Sequence, residues 1–135
     1  MRKRVLLIAS WTYSKKVYGS YLSPPMGLYR IQYWLEEKHD VDILDPNVED
    51  PISFLENCGF YDVIGFSATK ENLHNDIALM RYAKKLYPGT KIVIGGSEAS
   101  NNYQMFLGMD IVDFVILGDG EKALEFFLDD MLDIH

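Results

Sequence analysis

Three features of the sequence predict a doubly wound α/β fold: short β-branched apolar runs, helical patterns between them, and small residues where the runs end. Val5-Leu6-Leu7-Ile8, Val63-Ile64-Gly65-Phe66 and Ile92-Val93-Ile94 are nearly unbroken apolar stretches, as strands buried on both faces are. Strands alternating with helices along the whole chain place a parallel sheet between two helical layers. A chain of 135 residues, 48% of them hydrophobic, suits one such unit, expected over 1–135.

Arg4–Ala9 is the first expected strand. Ser10–Pro24 is a long loop with Trp11, Tyr13, Tyr18 and Tyr21, and loops of that length in compact domains are usually functional or disordered; the aromatics favour function. Pro24-Pro25-Met26-Gly27-Leu28 opens a helix, the second proline fitting its first turn; Leu28, Ile31 and Leu35 form its inward stripe. Val41–Asp45 is the second strand. Asp50-Pro51 caps a short helix over Pro51–Asn57, closed by Gly59. Asp62–Ser67 is the third strand. Leu73, Ile77, Met80, Ala83 and Tyr87 repeat at helical spacing, predicting a helix from about Asn72 to Tyr87, stopped by Pro88-Gly89. Lys91–Ile94 is the fourth strand, followed by a small-residue loop and a short helix around Tyr103–Leu107. Asp113–Leu117 is the fifth. The last helix, about Glu121–Leu132, buries Leu124, Phe127, Leu128 and Met131; Asp129, Asp130 and Asp133 oppose its dipole, which suggests that the polypeptide continues. Five such units fit a flavodoxin-like order, 2-1-3-4-5, in three layers αβα, with the switch point near Ser10 and Ser67.

Composition narrows the function. A net charge of −7 argues against nucleic acid, which needs a basic face. No apolar run approaches the roughly 20 residues that cross a bilayer, and the basic-then-apolar start lacks a cleavage site. Cys58 is the one cysteine, so no internal disulfide or Cys-rich cluster is expected, and the default compartment is the cytoplasm. His39, His74 and His135 form no legible metal site, and no catalytic triad or other catalytic residue is evident. A receiver-type phosphoacceptor site would need acidic residues where Ala9-Ser10 and Ser67 stand. A flavin-phosphate loop would need glycines where Trp11 and Tyr13 stand, and a Gly-x-Gly-x-x-Gly is absent.

What stands out is a constellation at three strand ends: Ser67-Ala68-Thr69, Gly95-Gly96-Ser97-Glu98 and Gly118-Asp119-Gly120-Glu121. Small residues at the carboxyl edge of a parallel sheet leave a shelf for a broad ligand. The same glycines also suit tight strand-to-helix turns and nothing more.

With Pro24-Pro25-Met26-Gly27-Leu28, Asp62–Thr69, Lys91–Gly96 and Asp113–Glu121 in this order, the chain resembles the cobalamin-binding domain of B12-dependent radical SAM enzymes, from Pro24 to about Leu128. The resemblance implies cobalamin over the carboxyl edge, with its benzimidazole tail in the crevice between strands. It implies contacts at Ser10, Ser67, Ala68, Thr69, Leu73, Gly95, Gly96, Ser97, Glu98, Gly118, Asp119, Gly120 and Glu121. Ser67 and Thr69 would meet the tail, and Gly95 and Gly96 would give it clearance, so a bulky residue at Gly96 is expected to block binding with the fold intact. Ser10-Trp11-Thr12-Tyr13-Ser14-Lys15-Lys16 lacks the cobalt-ligating Asp-x-His-x-x-Gly of the mutase branch. No Cys-x-x-x-Cys-x-x-Cys is present, so the iron–sulfur cluster and S-adenosylmethionine would belong to a fused or partner domain. A flavin-binding electron-transfer module and a cofactor-free interaction domain are the other readings.

Overall fold

The computed structural model describes residues 2–11, 26–118 and 120–132. Five strands, β1 (Arg4–Ile8), β2 (Asp40–Leu44), β3 (Val63–Ser67), β4 (Lys91–Gly95) and β5 (Phe114–Val115), form one sheet in the order β2-β1-β3-β4-β5. Every pairing is parallel. This is the flavodoxin-like arrangement expected from the sequence. Helices α1 (Met26–Leu35) and α6 (Gly120–Leu132) cover one face. The other face carries α2 (Pro51–Asn57), α3 (Leu73–Leu86), α4 (Ser97–Asn101) and α5 (Tyr103–Leu107).

The local signals explain most boundaries. Asp50 caps α2, its carboxylate accepting from the backbone N–H of Ile52 at 3.0 Å, and Pro51 occupies the first turn. Gly59, at φ 80°, turns the chain after that helix. Two elements differ from expectation. The small-residue loop after β4 holds a helical turn, α4, which buries Ala99. Strand β5 spans two residues rather than five, because it is an edge strand paired only with β4. The Asp113 carboxylate, not a backbone carbonyl, accepts the Ile92 N–H at 2.8 Å where that pairing begins.

Side chains of a strand alternate between faces, so register decides what each face offers. On one side Leu6, Ile64 and Ile92 lie in a row, and Ile8, Phe66 and Ile94 in the next. All six are buried beneath α2, α3 and α5. On the other side Val5 and Val63 pack with Leu35 and Leu128 at the amino edge. Above them the row is Leu7, Gly65 and Val93; next, Ser67 pairs with Gly95, and Ala9 lies at the same edge just past β1. That second face runs out of large side chains halfway up.

Candidate functional site

Where the bulk runs out, a cavity of about 510 Å³ opens between α1, α6 and the carboxyl half of the sheet. Its floor is formed by the residues just described, Leu7, Gly65, Val93 and Ala9, Ser67, Gly95. Leu28 and Ile31 of α1 and Leu124 of α6 form apolar walls, and Ile116 follows β5. Six of the ten glycines line it: Gly27, Gly65, Gly95, Gly96, Gly118 and Gly120. A Cβ on Gly27 or Gly118 would meet no atom within 4 Å, and one on Gly95 would meet only Ile116, at 3.7 Å. Space is left beside these three positions, and Gly118, at φ 80°, also holds a backbone conformation that favours glycine. A cavity of this size, mostly apolar with a few polar groups, matches small-molecule sites.

Gly96 is different. It has φ 94°, and a Cβ there would lie 2.9 Å from the Ala68 carbonyl oxygen and 3.1 Å from its nitrogen. The backbone of the loop after β3 passes directly over it. The expectation that a bulky Gly96 leaves the fold intact is therefore corrected: a side chain there collides with main chain.

The polar end of the cavity lies at the exits of β1, β2 and β3. Asp76 of α3 is buried, and three donors converge on it. The Trp11 backbone N–H donates to Oδ1 at 2.7 Å, the Ser10 hydroxyl to Oδ2 at 2.7 Å, and the Thr69 N–H to Oδ2 at 3.4 Å. Burial raises the Asp76 pKa to about 6, partly offset by the donors from Trp11, Ser10 and Thr69. With its proton committed to an ionised Asp76, the Ser10 oxygen can only accept from Thr69 Oγ1, at 2.9 Å, and from Asn72 Nδ2, at 3.1 Å. One donor and two acceptor sites exhaust a hydroxyl. Asn75 Nδ2 donates to the Trp11 carbonyl at 2.9 Å, and Asn47 Nδ2 to the Ser10 carbonyl at 3.0 Å. The exit of β1 is thus fastened on several sides.

Of the residues singled out in the sequence, Ser10, Ser67, Gly95, Gly96, Gly118, Gly120 and Glu121 line the cavity. Among the described residues the Ser67 hydroxyl makes no hydrogen bond, so its donor and acceptor sites face the cavity unspent. Ser10 is spent on its own scaffold. Ala68 and Thr69 sit behind the lining, Ala68 buried against Gly96 and Thr69 tied to Ser10. Leu73 packs into the core on the opposite face of the sheet. Asp119 and the side chains of Ser97 and Glu98 lie outside the described residues, as do Tyr13, Tyr18 and Tyr21. His74 is exposed on α3 and does not reach the cavity.

Sequence reasoning missed Gly65, Gly27, Arg30, Asp45, Asn47, Asn72 and Asp76. The signal for Gly65 was present: in Ile64-Gly65-Phe66-Ser67 the large and small residues alternate, and alternation assigns them to opposite faces. Asp76 gave no signal, since an Asp in the first turn of a helix is ordinarily a solvated charge favoured by the dipole. Among the described residues no cluster of His, Cys, Asp and Glu is arranged to hold a metal ion, and no helix is long and apolar enough to cross a membrane.

Comparison with known proteins adds three findings. A family model described as a B12 binding domain matches residues 18–128. An uncharacterised methyltransferase of Pyrococcus horikoshii is 26% identical over 134 residues, covering 93% of this chain and 29% of that protein. The chain therefore spans under a third of this relative. A solved structure of two RcsB dimers bound to two parallel DNAs superposes with a TM-score of 0.62 at 18% identity, covering 98% of this chain and 61% of the other. That likeness concerns the fold alone.

Proposed function

The chain belongs to the B12-binding domain family, and from that premise we propose that it seats a corrinoid with the tail in the cavity between α1 and α6. The observation that carries this is the floor of small residues, Gly65 between Leu7 and Val93, with Ser67 beside Gly95 and Ala9 at the same edge, beneath a cavity of about 510 Å³. The residues present suit such a guest. The walls are apolar, space stands open at Gly27 and Gly118, and Ser67 offers an unspent hydroxyl to a ring nitrogen or amide. Among the described residues, no large side chain fills the space above Gly65, Ser67 and Gly95.

In this reading Gly65, Gly95 and Ser67 hold the tail, and Gly118, Gly120 and Glu121 stand beside it. Asp76 keeps Ser10 and the start of the following loop in place from behind. No His or Cys is among the described lining residues, so they offer cobalt no axial nitrogen or sulfur. When bound, the corrinoid supplies the methyl-carrying or radical-assisting chemistry, and the domain supplies orientation and shielding from water. Residues 1–135 act as one binding unit that works with a catalytic domain. The methyltransferase relative, of which this chain spans 29%, supports a role in methyl transfer. The motif resemblance supports radical SAM chemistry, with the iron–sulfur cluster and S-adenosylmethionine in the catalytic part.

Titration of the purified chain with hydroxocobalamin, followed by corrin absorption, tests the reading. Saturable one-to-one binding is expected, with none to FMN. Gly65→Val puts a branched side chain on the cavity floor, where the first obstacle is the movable Leu7 Cδ2, 3.0 Å from a new Cβ. It should weaken binding at least about tenfold, which is 1.4 kcal/mol, with circular dichroism unchanged. A wild-type chain that leaves the corrin spectrum untouched, or a Gly65→Val variant of wild-type affinity, overturns the assignment.

A further inference from the structure

Arg30 is the only basic side chain among the described residues lining the cavity, which also holds the carboxylates of Asp45 and Glu121. Arg30 Nε donates to Glu121 Oε1 at 2.7 Å, joining α1 to α6. The Arg30 side chain is 70% exposed and that of Glu121 15%, so the pair stands at the cavity mouth with the cation outermost. Among the described residues only Nε of the guanidinium is engaged, leaving the other donors of the fork unspent.

The pair is easily exchanged. An exposed ion pair contributes little to stability. Glu121 lies in the first turn of α6, where the helix dipole favours its charge even without the arginine. Asp45 Oδ1 already accepts from Asn47 N at 3.0 Å and Asn47 Nδ2 at 3.1 Å. Of the charged groups at the cavity, Arg30 is the one with donors left to give.

Resting on the corrinoid reading, we propose that Arg30 is a specificity residue that leaves Glu121 to bind the phosphodiester of the ligand's nucleotide tail. A complete corrinoid carries one phosphodiester between its ring and its base; a cobinamide ends before it. In a chain of net charge −7, that anion needs a cation, and the cavity provides one. A guanidinium engages phosphate oxygens through two parallel N–H donors, which a lone carboxylate partner at Nε leaves available. Glu121 then acts as a built-in competitor: it occupies Arg30 until a phosphate ester arrives, and a ligand that brings none leaves the pair intact and gains nothing from Arg30.

The test compares the 135-residue chain with its Arg30→Gln and Glu121→Gln variants. Each is titrated with hydroxocobalamin and with diaquocobinamide, which has the ring but neither phosphodiester nor base. Arg30→Gln should weaken hydroxocobalamin binding about tenfold, in line with a lost charge-assisted contact, and leave cobinamide binding unchanged. Glu121→Gln should tighten hydroxocobalamin a few-fold. Inorganic phosphate should compete with hydroxocobalamin in the wild type and not in Arg30→Gln. Were the pair only a strap between helices, both variants would shift affinity in the same direction, and that result overturns the proposal. So does equal weakening of both ligands by Arg30→Gln, or no weakening of either. A wild-type chain that binds neither corrinoid defeats the underlying corrinoid reading; one that binds both, with Arg30→Gln neutral, defeats the Arg30 role alone.

Discussion

The two faces of the sheet are built from the same three strands and differ in what stands at matching heights. Toward α2, α3 and α5, the carboxyl-edge row is Ile8, Phe66 and Ile94, all buried. Toward α1 and α6 the corresponding residues are Ala9, Ser67 and Gly95. One face is a core to its rim; the other is a core below and a cavity above. Open space here comes from removing side chains on alternate positions of β3 and β4, while their neighbours keep the sheet anchored. A packed core and an open cavity thereby lie on opposite sides of a single layer.

Substitutions can break that division. The largest effect is expected at Phe66→Ala on the packed face, which should cost about 3–5 kcal/mol in a denaturant melt. Its neighbour Gly65→Val should change stability by less than about 1 kcal/mol, since valine suits a strand and the one close approach to its Cβ is the Leu7 side-chain tip. Similar losses at both positions would mean that the second face is an ordinary core.

Next comes Gly96→Ala, at the border between the faces. A left-handed φ together with the approach to Ala68 backbone predicts a loss of about 1–3 kcal/mol. A fully stable Gly96→Ala variant with reduced corrinoid affinity would instead restore this glycine to a purely ligand-facing role.

A further effect concerns pH. Asp76 has a folded pKa of about 6 against an ordinary 3.8, raised by burial. Between those values the folded chain holds a proton that the unfolded chain has lost, so this group's contribution to stability falls as pH rises from about 4 to about 6 and is level above. Asp76→Asn should flatten that part of the profile in melts across the range. An Asp76→Asn profile parallel to wild type would show that the carboxylate titrates normally and that the polar end of the cavity is wetter than its geometry implies.

Much of the fold is legible in the sequence. Asp50-Pro51 marked the start of α2, and Pro88-Gly89 the stop of α3. The β-branched runs placed all five strands, and their alternation with helices dictated parallel pairing. The strand-end glycines pointed to the edge at which the cavity opens. The resemblance implied a contact at Leu73, which follows Ser67-Ala68-Thr69 closely, yet α3 turns it into the opposite core. Proximity along the chain did not decide the face.

The sequence by itself determined the architecture, because hydrophobic period and turn chemistry are local properties that each segment carries with it. It also determined which positions lack bulk. Only the tertiary structure decided which of those gaps add up. Parallel register set Gly65 between Leu7 and Val93, and Ser67 beside Gly95, merging separate small residues into one floor. The same assembly brought Asp76 to Ser10 and Arg30 to Glu121, pairs separated by 66 and 91 positions. Contacts between residues so far apart depend on how layers stack, and no single stretch of sequence encodes that.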